Sequence, residues 1–406
     1  MKLLIILTTS FPYDNGEEFL LNEINYINGF DKVILCPCNL KSSSTITKTL
    51  RKGQECIPLK RKNTGRAAYA KLLFQPSVLA EIGKLVRTGR FSLDRVHEML
   101  FFMKQAIEIC NALKKIELLY QADEVCIYSY WFYDAAAAGV YLKKDLVKRG
   151  IKVKQISRAH GFDIHQDRTK YSYLPMRSYL LRNLDRLYPC SYDGANTIIH
   201  QYPNYADKIT PAYLGTDDHG EKPGNRGKVL HIVSCSFMVP VKRLHLIVQA
   251  LAKIDFPVLW THIGSGPLED EIKKMTENLP NCVNAEFMGH LSNPDIMEYY
   301  KTNDVSVFVN VSSSEGIPVS IMEACSFGLP IIATDVGGTS EAVVDGENGF
   351  LLPENCTADD LFEKLLFLKE VPEEEYVQLC QKSRGVWAEK FNAPQNYKNF
   401  YEEISR

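Results

Sequence analysis

Short apolar runs rich in β-branched residues recur along the chain, each followed by a longer stretch with the three-to-four-residue apolar spacing of a helix. In the first half the runs are KLLIIL (2–7), DKVILC (31–36), EVCIYSY (124–130), VKQISRA (153–159) and DRLYPCS (185–191). In the second half they are VLHIVSCS (229–236), PVLWTHIG (257–264), CVNAEFMG (282–289), VSVFVNV (305–311) and LPIIATDV (329–336). Strands alternating with helices in this way build a parallel sheet with crossover helices. Between the halves lies GTDDHGEKPGNRGK (215–228), a polar stretch with four glycines and a proline, which is how a linker is composed. The pattern therefore predicts an α/β chain of two doubly wound, Rossmann-like domains, 1–212 and 213–385. A last helical segment, 386–406, puts Tyr397, Phe400, Tyr401 and Ile404 on one face, as a helix crossing back to dock on the first domain would.

Length agrees with two domains, since 406 residues exceed what one ordinary core accommodates. The formal net charge of -2 argues against nucleic acid as a partner, but it hides a separated patch. Between Lys41 and Arg95 stand thirteen Lys and Arg against three Asp and Glu, a net of +10, so the rest of the chain sums to -12. Within it, KRKNTGRAAYAKLLFQPSVLAEIGKLVRTGRF mixes cations with Leu, Phe and Val. This composition suits a helix lying on an anionic membrane surface, and equally a helix with a solvated basic face over an ordinary core.

The eleven scattered cysteines hold no C-x-x-C pair, which predicts reduced thiols in a cytoplasmic protein. MKLLIILTTSFP has one Lys and an apolar run of five, so it reads as a first buried strand rather than a signal peptide. No apolar run reaches the roughly 18 residues that span a bilayer.

The candidate chemistry is concentrated in SSSEGIPVSIMEACSFGLPIIATDVGGTSEAV (312–343). Pro318 suits the first turn of a helix and Gly328 with Pro330 ends it, so Glu315 falls in the preceding turn and Glu323 inside the helix. The helical rise puts the two carboxylates on the order of 10 Å apart, with the amides of Gly316 and Ile317 between them and Pro318 and Val319 as further candidate contacts. That is too wide for a retaining hydrolase pair, roughly 5 Å apart across one bond. It suits a long anionic ligand with hydroxyls at both ends, such as a nucleotide sugar. A rival dinucleotide reading rests on THIGSGPLEDEI, where Gly264-x-Gly266 follows a strand. There Glu269 occupies the third glycine position, a poor fit to a tight helix–sheet contact. Asp217 and Asp218 stand in the linker without further ligands, so no metal site is expected.

EGIPVSIMEA followed by GLPIIATDVGGTSEAVVDGENGFLL resembles the donor-binding segment of the retaining glycosyltransferases of family four, with their GT-B fold of two facing domains and Glu-x7-Glu motif. The likeness continues through TTSFPYDNGEEFLLNEI (8–24), RAHGFD (158–163), YLGTDD (213–218), VPVKRLHLIVQAL (239–251) and IGSGPLEDEI (263–272), in the family's order. The resemblance implies a nucleotide diphosphate sugar as donor and a glycan or polyprenyl-linked acceptor, in bacterial surface polysaccharide assembly. It also implies retention of configuration and no cofactor or metal. Glu315 would orient the sugar, and Glu323 would bind the ribose. Lys242 and Arg243 would face the leaving diphosphate, with Gly16, Gly264 and Gly266 in donor-side loops and His160 near the donor sugar. In the family pattern an Arg commonly stands five residues before the Lys; here that residue is Phe237. This departure favours one alternative, a catalytically silent sugar-nucleotide-binding partner; a nucleotide-sugar epimerase on the same fold is a second alternative, within enzymes.

Overall fold

The computed structural model describes residues 1–14, 17, 19–65, 67–222 and 226–406. The chain forms two compact units, Met1–Ala212 together with Tyr397–Arg406, and Tyr213–Asn396. In the first unit, β1 (Lys2–Thr8), β2 (Lys32–Pro37), β3 (Gln54–Cys56), β4 (Glu124–Ser129), β5 (Lys152–Ala159) and β6 (Arg186–Pro189) form a parallel sheet of order β3-β2-β1-β4-β5-β6. In the second, β7 (Leu230–Cys235), β8 (Val258–Ile263), β9 (Val283–Phe287), β10 (Val307–Asn310), β11 (Ile331–Thr334) and β12 (Gly349–Leu352) form another, of order β12-β11-β10-β7-β8-β9. Because central strands of such sheets are covered on both faces, β1 is apolar at successive positions: Leu3, Ile5 and Leu7 enter one core, and Leu4 and Ile6 are buried opposite.

Both sheets grow outward from their first strand in one direction and then return to its other side. In the first sheet the reversal lies between β1 and β4; in the second it lies between β7 and β10. At such a reversal the loops leaving the carboxyl ends of the two strands diverge, and a crevice opens for ligands.

Ten of the twelve strands coincide with the apolar runs. The other two, β3 and β12, are edge strands of three and four residues, each paired on one side only. β3 has no buried position, so its sequence QEC carries no apolar signal.

Described residues of the glycine-rich stretch after residue 214 are laced to the second unit. Thr216 donates its amide to the Phe391 carbonyl at 2.9 Å, Asp218 pairs with Arg384 at 2.7 Å, and Lys222 pairs with Asp304 at 3.2 Å. Three of the charged residues that gave the segment the look of a linker, Asp218, Lys222 and Arg226, are ion-pair partners.

The last helix, Ala393–Ser405, begins in the second unit and ends in the first. Tyr397, Phe400, Tyr401 and Ile404 are all buried. Beneath this helix lies a charged pair with no solvent exposure: Arg158 Nε is 3.3 Å from Glu23 Oε2. Tyr128 and Tyr401 donate their hydroxyls to Glu23 Oε1 at 2.7 and 3.1 Å. Arg158 in turn donates Nε to the Tyr128 oxygen at 2.9 Å and Nη1 to the Ala212 carbonyl at 2.7 Å, while its guanidinium lies 4.2 Å over Phe400.

Candidate active site

The loops that leave β7 and β10, the strands on either side of the second reversal, meet through an ion pair. Lys242, closing the short turn Pro240–Lys242 after β7, donates Nζ to Glu315 Oε1 at 2.6 Å. Asn310, the last residue of β10, donates Nδ2 to the same oxygen at 3.4 Å. The loops are also stitched by backbone, with the Ser313 amide donating to the Val241 carbonyl at 2.8 Å. Lys242 and Asn310 thus both help to orient Glu315 between fixed loops.

After Glu315 the chain enters the helix Val319–Ser326, with Pro318 at the N-cap (ψ 122°), one position earlier than the first turn its sequence suggests. Gly328 at φ 80° ends the helix, its amide and that of Leu329 returning to the carbonyls of Cys325 and Ala324. At the other end the amides of Gly316 and Ile317 donate to no backbone carbonyl among the described residues. They stand at the positive end of the helix, as anion-binding amides do.

Glu323 points from that helix into a buried setting, where Asn293 Nδ2 donates to its Oε1 at 2.5 Å. Burial pushes its carboxyl up to about 7, with the Asn293 hydrogen bond acting the other way. The sign of the pH effect follows from the direction of this shift. The folded carboxyl holds its proton above the ordinary 4.5, so the stability it contributes is complete below 4.5 and is lost as pH rises through about 7. Glu323→Gln, which keeps an acceptor for Asn293 and carries no charge, is expected to match the native protein near pH 4.5. Well above pH 7 it is expected to exceed it by on the order of 3 kcal/mol, which denaturant titrations across that range would read.

Glycines set how closely these loops approach. Gly337 adopts φ 56°, and a β-carbon there would fall 2.1 Å from the Glu315 carbonyl oxygen, while the next amide, Gly338, donates to the Gly316 carbonyl at 2.7 Å. The Gly337-Gly338 turn after β11 therefore braces the Glu315 loop from behind. Gly337→Ala is expected to displace that loop and cost roughly 1–3 kcal/mol, as thermal melts would show. Gly264 and Gly266 play the same part on the other side, against the backbone of Ser236 and Met238. They position the loop that carries Lys242.

Arg243 does not stand beside Lys242 as a second cation. Its backbone is left-handed (φ 47°), and its guanidinium donates to the carbonyls of Val311, Glu354 and Ser312 at 2.7, 2.9 and 3.2 Å, and to the Thr334 hydroxyl at 3.2 Å. With four hydrogen bonds directed to neutral oxygens, it serves as a brace for the loops after β10 and β11. Phe237 is 61% exposed on the neighbouring loop. Among the described residues no group of three His, Cys, Asp or Glu is placed as metal ligands would be.

In the first unit the reversal between β1 and β4 is bridged by Glu17, which pattern reading passed over. Its carboxylate accepts the amides of Thr9, Ser10 and Phe11, each at 2.9 Å, and the Trp131 indole N–H at 2.7 Å. An acidic residue thus occupies the amides of the turn after β1. Gly16 lies outside the described residues. His160, at the end of β5, is held by Asp163, whose carboxylate accepts the amides of His160 and Phe132, both at 2.8 Å. The imidazole packs 4.6 Å from Trp131 and 4.8 Å from Tyr130. Burial lowers its pKa to about 4, so the ring is neutral. Its Nε2 lies 3.0 Å from the Tyr130 carbonyl, which only accepts; the proton therefore sits on Nε2 and leaves Nδ1 as a hydrogen-bond acceptor.

Two doubly wound units, each with its reversal beside the first strand, are the GT-B class of fold. HepE of Anabaena, solved in complex with UDP, shares this fold over 100% of both chains, with a TM-score of 0.67 at 15% identity. Residues 216–385 match the family model of glycosyl transferases group 1. Among curated relatives, the D-rhamnosyltransferase WbpZ of Pseudomonas aeruginosa is 27% identical over 222 residues, covering 52% of this chain. WcaL of Salmonella typhimurium, a glycosyltransferase assigned to colanic acid biosynthesis, is 25% identical over 244 residues, covering 57% of it. The matches span 56% and 59% of those relatives' own lengths.

Proposed function

We propose that the protein is a retaining, metal-independent glycosyltransferase that moves a sugar from a nucleotide diphosphate sugar to a glycan or lipid-linked acceptor in surface polysaccharide assembly. The observation that carries this reading is the Lys242–Glu315 pair at the β7/β10 reversal, beside the free amides of Gly316 and Ile317 and upstream of a buried Glu323. The donor diphosphate lies against Lys242 and those amides. As the sugar–phosphate bond breaks, negative charge grows on the leaving oxygen and the fixed positive charge stabilises it more than the ground state. Glu315, oriented by Lys242 and Asn310, accepts sugar hydroxyls and complements the oxocarbenium-like carbon without forming a bond to it. Glu323 accepts the ribose hydroxyls, and His160 offers its bare Nδ1 to a substrate hydroxyl. The relatives WbpZ and WcaL and the UDP complex of HepE support this substrate class. The basic 41–95 segment suits peripheral association with an anionic membrane, where lipid-linked acceptors reside.

The test is release of nucleoside diphosphate from a panel of nucleotide sugars, with chelator present and with lipid and glycan acceptors, the product anomer being read by NMR. Acceptor-dependent release with unchanged configuration supports the proposal. Inversion or a metal requirement would overturn those two parts of it. The hydrogen bonds of Arg243 to neutral oxygens and the apolar Phe237 favour one second reading, a silent nucleotide-sugar-binding partner, which predicts binding without turnover.

A further inference from the structure

The helix Pro76–Arg87 is apolar on both sides. Val78 and Leu85 enter the core with Glu81, whose carboxylate accepts the Tyr173 hydroxyl at 3.1 Å. The opposite face presents Leu79, Ala80, Gly83 and Val86; of the two cations in the last turn, Lys84 at its flank is half-buried and donates to the Ser178 hydroxyl at 3.1 Å, and Arg87 is exposed. A solvent-facing helix normally turns its polar side outward. Exposed large apolar side chains also continue past both ends: Phe74 before the helix is 82% exposed, and Leu93 beyond it is 79% exposed. Of the seventeen large apolar residues exposed among the described residues, seven fall between 73 and 101. At 1.5 Å per residue the helix alone makes a ridge about 18 Å long, and concentrated exposure of this kind marks an interaction surface.

The charge around the ridge identifies what covers it. The 41–95 segment has a net of +10, and Lys71 and Arg87, in the last turns of successive helices, are exposed. Of its three acidic residues, Glu81 is buried and Glu55 is paired with Lys32 at 2.9 Å, leaving Asp94. Arg90 and Arg95 do not face outward: Arg90 donates to the Gln166 side chain, and Arg95 to the Tyr171 and Arg90 carbonyls, which fixes the turn that displays Phe91 and Leu93. A second copy of the chain would bring a like-charged patch against this one, which disfavours self-association through it. An apolar ridge flanked by cations matches acyl chains beneath anionic headgroups.

We propose that the outer face of the helix Pro76–Arg87, extended by Phe74, Phe91 and Leu93, docks the protein on an anionic lipid bilayer. It seats the ridge among the lipid chains, with Lys71 and Arg87 at the headgroups. This deepens the transferase reading, on which its purpose rests, while its test needs no turnover. Native protein and the variants Leu79→Ser/Val86→Ser and Lys71→Glu/Arg87→Glu are sedimented with vesicles of phosphatidylglycerol and phosphatidylethanolamine, and with vesicles of phosphatidylcholine. All altered residues are exposed, so circular dichroism and nucleoside diphosphate binding are expected to be unchanged. The native protein is expected to bind the anionic vesicles, to bind phosphatidylcholine at least about tenfold more weakly, and to lose about tenfold in affinity with either variant. Failure to bind, equal binding to both vesicle types or undiminished binding of the variants would overturn the proposal. So would a native dimer that the Leu79→Ser/Val86→Ser variant dissolves, which would make the ridge a self-interface. Nucleotide binding measured on the same samples separates failure of this proposal from failure of the transferase reading.

Discussion

Lys242→Ala is expected to lower turnover by about 10²–10³-fold while the fold and most of the thermal stability are kept. The side chain is the cation placed at the β7/β10 reversal, 2.6 Å from Glu315, whereas the adjacent Arg243 is committed to carbonyls. On the proposed function, its removal withdraws the charge set against the leaving diphosphate, and it also removes the Lys242 contact that helps orient Glu315. Stability changes little because the residue lies in a short turn and is partly exposed, and Asn310 still contacts Glu315. Steady-state release of nucleoside diphosphate, with thermal melts as control, measures both quantities. A turnover within a few-fold of the native value would show that the leaving group is stabilised elsewhere.

Arg158→Met is expected to destabilise the first unit by about 3–5 kcal/mol, because it leaves the Glu23 carboxylate buried without its cation. Arg158 and Glu23 both have zero exposure, and two tyrosine hydroxyls alone would then face the carboxylate. One of those hydroxyls belongs to Tyr401, so amide exchange across residues 397–405 is expected to quicken along with the fall in denaturant midpoint. Arg158→Met/Glu23→Gln should recover part of the loss, since the stranded charge is gone. A single-variant loss below about 1 kcal/mol would mean that water already solvates the pair.

The legible parts of the fold are those where burial on both faces writes a continuous apolar run. The ten runs became strands, while β3 and β12, short and at the edges, left little trace. The placement of Glu315 in a turn and Glu323 within the following helix was legible because Pro318 and Gly328 punctuate the chain on either side. What pattern could not supply was the partnership of residues far apart in sequence. Nothing in VPVKRL says that Arg243 directs hydrogen bonds to Val311 and Glu354, or that Gly337 must lack a side chain because it abuts the Glu315 carbonyl. Glu17 was overlooked for the same reason: its four donors come from the turn before it and from Trp131, far along the chain. The +10 of the 41–95 segment was plain in the sequence, but which face of its helix carried the apolar residues appeared only with the exposed positions in place.

The account stands most directly on nucleotide recognition by the second unit. The decisive measurement is calorimetric titration of nucleoside diphosphates into the native protein and Glu323→Gln, in chelator, near pH 7 and in buffers of differing ionisation heat. Ribose hydroxyls that donate to Glu323 stabilise its charged form, so a carboxyl poised at about 7 must release a proton on binding. The account predicts that one nucleoside diphosphate binds with proton release, and that Glu323→Gln binds it more weakly and releases none. Binding by none of them, or binding that is the same in affinity and proton release in the variant, would contradict it.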